Sequence, residues 1–165
     1  MGYRIERAAE PDAAAIAALM ARICAERIYS AIDSPFTAGE QRAYIASLSE
    51  REGIFVAKEA DGSILGMQTL EAWARTIGSM KHVAQLGTFI PAECRRRGIG
   101  TALFDSTCEF ARGAGYAKLI IQVRASNLPA LAFYSRLGFR PAGRLTRQVR
   151  IDGVEDDEVL FESFL

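Results

Sequence analysis

The chain has 165 residues, half of them hydrophobic, and its 20 basic side chains are balanced by 20 acidic ones. That length suits one domain with its own core, read here as residues 1–165, and the balanced charge argues against a dedicated nucleic-acid binder. Three cysteines without ligand-like spacing and a lone His82 argue against a disulfide framework and a metal centre. No apolar run approaches the ~18 residues of a membrane span, and no signal-peptide core opens the chain, so a reducing cytoplasmic setting is the expectation.

Residues 3–7 alternate as a short strand. Glu10-Pro11-Asp12 then opens a helix in which Ile16, Leu19, Met20 and Ile23 share one face, with alanines supporting it through propensity. The pattern breaks at Asp33-Ser34-Pro35, and a second helix is predicted over residues 37–49 with Tyr44, Ile45 and Leu48 inward. Strands over 53–59 and 63–73 flank the hairpin signal Asp61-Gly62. A third strand follows over residues 80–90, strongest from Val83 onward. After Gly98 a helix places Ile99, Leu103, Thr107 and Phe110 at helical spacing and ends at Gly113-Ala114-Gly115. Residues 118–123 read as a strand covered on both faces. Asn127-Leu128-Pro129 starts a further helix that Gly138 stops, and strands over 140–149 and 154–164 join at Asp152-Gly153. The order defines a mixed α/β (α+β) fold, and the strand–helix–strand unit over 83–123 requires a parallel crossover.

The segment Arg95-Arg96-Arg97-Gly98-Ile99-Gly100-Thr101 lies between that strand and its helix. A helix start offers unpaired N–H groups and the positive end of the helix dipole, and the two glycines let a ligand approach them, which reads as an anion seat. A Walker A loop requires Gly-Lys-Ser/Thr, which is absent, and Leu103 stands where a Rossmann fingerprint requires its third glycine. What remains is Arg-x-x-Gly-x-Gly on Arg95, Gly98 and Gly100; the plain alternative is a glycine turn with solvated arginines. Further on, Asn127-Leu128-Pro129-Ala130-Leu131-Ala132-Phe133-Tyr134-Ser135-Arg136-Leu137-Gly138-Phe139 follows at a distance of one helix and one strand. By themselves Phe133 and Tyr134 also fit core aromatics, and Asn127 fits a helix cap.

Together, the two motifs resemble those of the GNAT superfamily of acyl-CoA-dependent N-acetyltransferases, and in particular its small-amine group similar to phosphinothricin acetyltransferase. The resemblance implies a mostly antiparallel sheet of about six to seven strands with a splayed parallel pair, flanked by about four helices. It implies that the strand over 83–90 ends in a bulge, and that the pantetheine arm of acetyl-CoA pairs with the main chain of Thr88, Phe89 and Ile90. The N–H groups of Arg96, Arg97, Gly98, Ile99, Gly100 and Thr101 would take the pyrophosphate, with the guanidinium of Arg95 and its neighbours adding charge. Asn127 would touch the cofactor arm, and Tyr134 would serve as general acid beside the sulfur. The family's basic glutamate falls on Gln85, an amide; Glu71 is the nearest carboxylate, with a solvated strand-face role as its alternative, and His82 is a weaker choice. Cys94 lies beside the loop, yet direct transfer is the expected route. Residues 29–36, Glu71-Ala72-Trp73 and the tail hairpin would shape the acceptor site, where Phe36 and Trp73 line a pocket or pack in the core.

The function implied is acetyl-CoA-dependent N-acetylation of a primary amine such as an amino acid or analogue, with no metal, no nucleic acid and no membrane, in a homodimer. A protein N-terminal or lysine acetyltransferase and a non-catalytic acyl-CoA-binding module are the other readings.

Overall fold

A computed structural model describes residues 2–165. The strands are β1 (Tyr3–Arg7), β2 (Gly53–Glu59), β3 (Ile64–Ala72), β4 (Val83–Phe89), β5 (Lys118–Arg124), β6 (Arg140–Ile151) and β7 (Val154–Phe164). The helices are α1 (Ala13–Ala25), α2 (Ala38–Ser47), α3 (Ile99–Gly113) and α4 (Leu128–Arg136). All seven strands form one sheet in the order β1-β2-β3-β4-β5-β7-β6, with β4 and β5 parallel and every other neighbouring pair antiparallel.

Strand alternation divides the core between the two faces of the sheet. Ile54, Val56, Ile64 and Met67 pack against Ile16, Leu19, Met20 and Ile23 of α1, with α2 closing the layer through Tyr44 and Ile45. On the opposite face Phe55, Leu70, Leu86, Leu119, Ile121 and Phe161 pack against Ile99 and Leu103 of α3 and Tyr134 of α4. The stripe read from α1's sequence is therefore the buried one.

Boundaries differ in informative places. Residues Glu10–Asp12 form a 3-10 turn, and the α-helix begins only at Ala13. The reason is local: Asp12 turns its carboxylate back to the Ala9 N–H and across to Lys58 Nζ, at 2.9 and 2.6 Å. Thr37 is a cap rather than a helical residue. Its hydroxyl accepts from the Glu40 N–H while Glu40 accepts from the Thr37 N–H, a reciprocal box that fixes the start of α2. Glu52, only 2% exposed, accepts from Ser49, the Ala72 N–H and Arg75. Burial works against this carboxylate, but those donors hold it below its ordinary range.

The contact between β4 and β5 positions the site. It comprises the pairs Val83↔Lys118, Ala84↔Leu119 and Gln85↔Ile120, after which the strands part. On the other side β4 stays paired with β3 without interruption, from Ala72↔Ala84 to Met67↔Phe89. The expected bulge is thus absent from the β3–β4 ladder, and divergence from β5 alone opens the sheet. The expectation of a doubly covered β5 is corrected for the same reason. Leu119, Ile121 and Val123 are buried, whereas Ile120 is half-buried and Gln122 exposed on the face bordering the opening.

Candidate active site

Two cavities meet where β4 and β5 part. One, of about 840 Å³, is walled by the end of β4, the turn before α3 and the start of α4. The other, of about 560 Å³, lies between α2 and the sheet and includes Tyr44, Glu71, Trp73 and Gln85. Ile32, Leu86, Gly87, Phe89 and Gln122 line both. Beyond Gln85 the β5-facing edge of β4 has no strand partner, so its backbone can pair with an extended ligand.

Thr88, Phe89, Ile90, Arg95, Arg96, Gly98, Ile99, Gly100 and Thr101 all wall the larger cleft, as do Asn127 and Tyr134. Arg97 is exposed and lies outside it. Gly98 caps α3 in the left-handed region at φ 78°, and Arg96 shares that region at φ 58°. This puts successive N–H groups at the helix start in the arrangement that cradles anions. The two glycines serve different needs. A Cβ on Gly98 would meet open space, so its conformation is what requires glycine. A Cβ on Gly100 would lie 3.0 Å from Phe133 and 3.2 Å from Ile90, so there glycine permits α3 to pack on the aromatic of α4.

Arg95 and Asn127 are engaged within the protein. The guanidinium of Arg95 donates to the Ile90 carbonyl and to both oxygens of Glu26, and stacks over Tyr29 at 4.7 Å. Asn127 accepts from the Ala130 N–H as cap of α4 and donates to the Tyr29 carbonyl. Arg124, paired with Asp156 at 2.9 Å, donates to the carbonyls of Arg27 and Ser30. Three cleft residues therefore hold the segment after α1, whose Tyr29, Ser30, Ala31 and Ile32 roof the cleft.

Tyr134 is 5% exposed, its ring set edge-on between Phe133 and Phe139. Its hydroxyl lies 2.7 Å from Thr88 Oγ1, which also accepts from Gln68 Nε2 at 2.7 Å. Burial pushes the phenol up to about 12, and the Thr88 hydrogen bond draws it partly back. Sequence reasoning placed Thr88 only as a main-chain contact and missed Gln68, a fully buried amide within an apolar strand. Its position opposite Thr88 in the β3–β4 ladder was the available signal.

Glu71 sits on the other face of the sheet, directly opposite Gln85 in the β3–β4 pairing. Gln85 Nε2 approaches its carboxylate at 3.4 Å, and the Tyr44 hydroxyl hydrogen-bonds to it. Burial first, and then this anion, push the Tyr44 phenol well above its ordinary value. A carboxylate thus stands one strand away from the position where the family pattern expects it. His82 is exposed and belongs to neither cavity, while Cys94 is buried in the wall of the larger one.

A sheet opened by a parting parallel pair, with glycine-bounded N–H groups at the start of the following helix and a tyrosine across the gap, is the arrangement that the sequence resemblance implies. The acetyltransferase (GNAT) family profile matches residues 16–139, and the chain belongs to that family. It is 31% identical over 97 residues to human N-acetyltransferase 8, a match covering 59% of this chain and 43% of that protein. It is 25% identical over 92 residues to the L-methionine sulfoximine/L-methionine sulfone acetyltransferase of Pseudomonas paraeruginosa, covering 56% and 53%. The chain thus matches about half the length of these two relatives. Among solved structures, a phosphinothricin acetyltransferase from Sinorhizobium meliloti in complex with acetyl-CoA superposes with a TM-score of 0.89. That superposition has 17% identity and covers all of this chain and 89% of the other. No helix among the described residues is long and apolar enough to cross a membrane.

Proposed function

We propose that this enzyme transfers the acetyl group of acetyl-CoA to a primary amine of a small molecule by direct attack, with the thioester in the gap between β4 and β5. The observation that carries this reading is the junction of the two cavities at Leu86, Gly87 and Phe89. Tyr134 approaches that junction from the α3–α4 face and Glu71 from the α1–α2 face. The donor and the acceptor can therefore enter from opposite sides of one sheet. Acetyl-CoA binding by the solved phosphinothricin acetyltransferase supports the donor assignment.

The pyrophosphate would rest on the N–H groups of residues 96–101, with Arg96 supplying charge, and the pantetheine arm would pair with the free edge of β4 at Thr88, Phe89 and Ile90. Arg95 and Asn127 would shape this cleft chiefly by holding its roof. Glu71, directly or through water, takes the ammonium proton. The neutral nitrogen then attacks the carbonyl carbon, the C–S bond breaks as Tyr134 donates to the departing sulfur, the second proton shed by the new amide nitrogen restores Tyr134 through solvent, and Glu71 discharges the first. The products are the N-acetylamine, free CoA thiol and one proton released to solvent. We further propose a homodimer on family grounds.

Thiol release measured with acetyl-CoA across a panel of amines tests this reading: at least one amine should release thiol in step with acetylated product. Acetyl-CoA binding without thiol release from any amine or peptide would instead favour a non-catalytic module. The cradle has its own test. Gly100→Val should weaken acetyl-CoA binding by about 10-fold or more, because the added branch must displace Phe133 or Ile90, both in the cleft wall, or shift the start of α3, and titration at unchanged fold checks it. Unaltered affinity would remove the cradle from the donor site.

A further inference from the structure

We propose that the acceptor is a cationic amine with an aromatic or apolar body and no carboxylate, bound beside Glu71 in the cavity between α2 and the sheet. This rests on the reading above that the smaller cavity receives the acceptor.

The charges in that wall carry the argument. Its ionisable acids are Glu40 and Glu71, and it contains no lysine, arginine or histidine. Glu40 is occupied by the cap of its own helix, where it accepts from the Thr37 N–H and hydroxyl. Glu71 is left as the wall's carboxylate with no capping role, with Gln85, the Tyr44 hydroxyl and the Arg75 guanidinium beside it. The nearest cation, Arg75, lies outside the wall; its Nε is bound to buried Glu52 at 2.9 Å and its NH2 stands 3.7 Å from Glu71. The remaining side-chain amides, Gln41, Gln85 and Gln122, are neutral.

A ligand carboxylate in this cavity would lose its hydration without gaining a cation and would face Glu71 as a like charge. Both effects oppose binding. An ammonium group gains the Glu71 carboxylate and has the aromatic side chains Phe36, Tyr44, Trp73 and Phe89 in the same wall. Phe36 and Trp73 remain 48% and 38% exposed at this wall. Aromatics left in water beside a cavity fit a ligand's apolar body better than they fit core packing. The methionine sulfoximine acetyltransferase relative is named for an amino-acid acceptor, which bears a carboxylate. Its acceptor chemistry does not suit this wall.

The test uses matched pairs that differ only in the carboxylate: tryptamine against tryptophan, and phenethylamine against phenylalanine. With acetyl-CoA saturating, kcat/KM for thiol release should favour the decarboxylated member by at least about 10-fold. Calorimetric titration of the same compounds into protein loaded with free CoA gives a second reading that needs no turnover, and should show the same order. Equal or reversed preference in either measurement, or no binding of either amine, overturns the inference while leaving acetyl transfer itself intact if amino acids turn over. Selective amine binding with no thiol release from any compound supports it and overturns the catalytic reading instead. Trp73→Ala should lower kcat/KM for tryptamine by about 5-fold or more while leaving acetyl-CoA affinity unchanged. An unchanged kcat/KM would remove Trp73 from the acceptor site.

Discussion

Tyr134→Phe is expected to lower kcat by about two to three orders of magnitude while leaving acetyl-CoA affinity within about twofold. The ring is locked by Phe133 and Phe139, so removing one oxygen leaves the packing in place. Two values decide whether this phenol can act as the acid. At about 12 it lies roughly 3.5 units above an ordinary thiol, a mismatch of about 5 kcal/mol for complete proton transfer. General-acid catalysis asks only for partial proton transfer in the transition state, so the full mismatch is not incurred. Thr88, supported by Gln68, can donate to the phenolate oxygen as its proton leaves. The sign for pH follows: the acid must be protonated, its raised value keeps it so, and kcat should show no alkaline fall until well above pH 10. Pre-steady-state thiol release and a pH profile check both points. An unchanged kcat in Tyr134→Phe would remove the acid assignment.

Glu71→Gln is expected to reduce kcat/KM by about 10²-fold, because the amine would keep its proton near neutral pH. Acetyl-CoA affinity should be unaffected, since Glu71 belongs to the smaller cavity alone. The pairing of Glu71 with Gln85 permits a sharper measurement. Combining Glu71→Gln with Gln85→Glu moves the carboxylate across one ladder step, and should recover at least about 10-fold of the lost kcat/KM. No recovery together with a small effect of the single change would place the base elsewhere.

The elements and most of the larger cleft's lining were legible in the sequence because each has a local cause. Helical spacing marked α1 and α3, and the glycine turn marked the start of α3, whereas the Thr37–Glu40 box that begins α2 went unread. Neither glycine's task could be read from the motif: that of Gly100 depends on Phe133, which lies 33 residues away. The roles of Arg95 and Asn127 were obscured for the same reason. Their partners Glu26 and Tyr29 approach them only after the chain has folded back across the sheet. In the smaller cavity Phe36, Tyr44, Glu71 and Trp73 had been singled out, but Glu40 and Gln41 had not, since α2 has no pronounced apolar face to show which side turns inward. The end of β4 was misread because the strands' parting required no inserted residue.

The ties from Arg95, Arg124 and Asn127 to the segment after α1 also give the motif residues a second consequence. Ile32, at the end of that segment, lines both cavities. A side chain in the wall of the larger cavity is thus tied, through the segment after α1, to a residue that also roofs the smaller one. Under the proposed reading, Arg95→Ala is expected to change the ratio of kcat/KM between two amines as well as acetyl-CoA affinity, a coupling that a steady-state comparison of the two substrates measures.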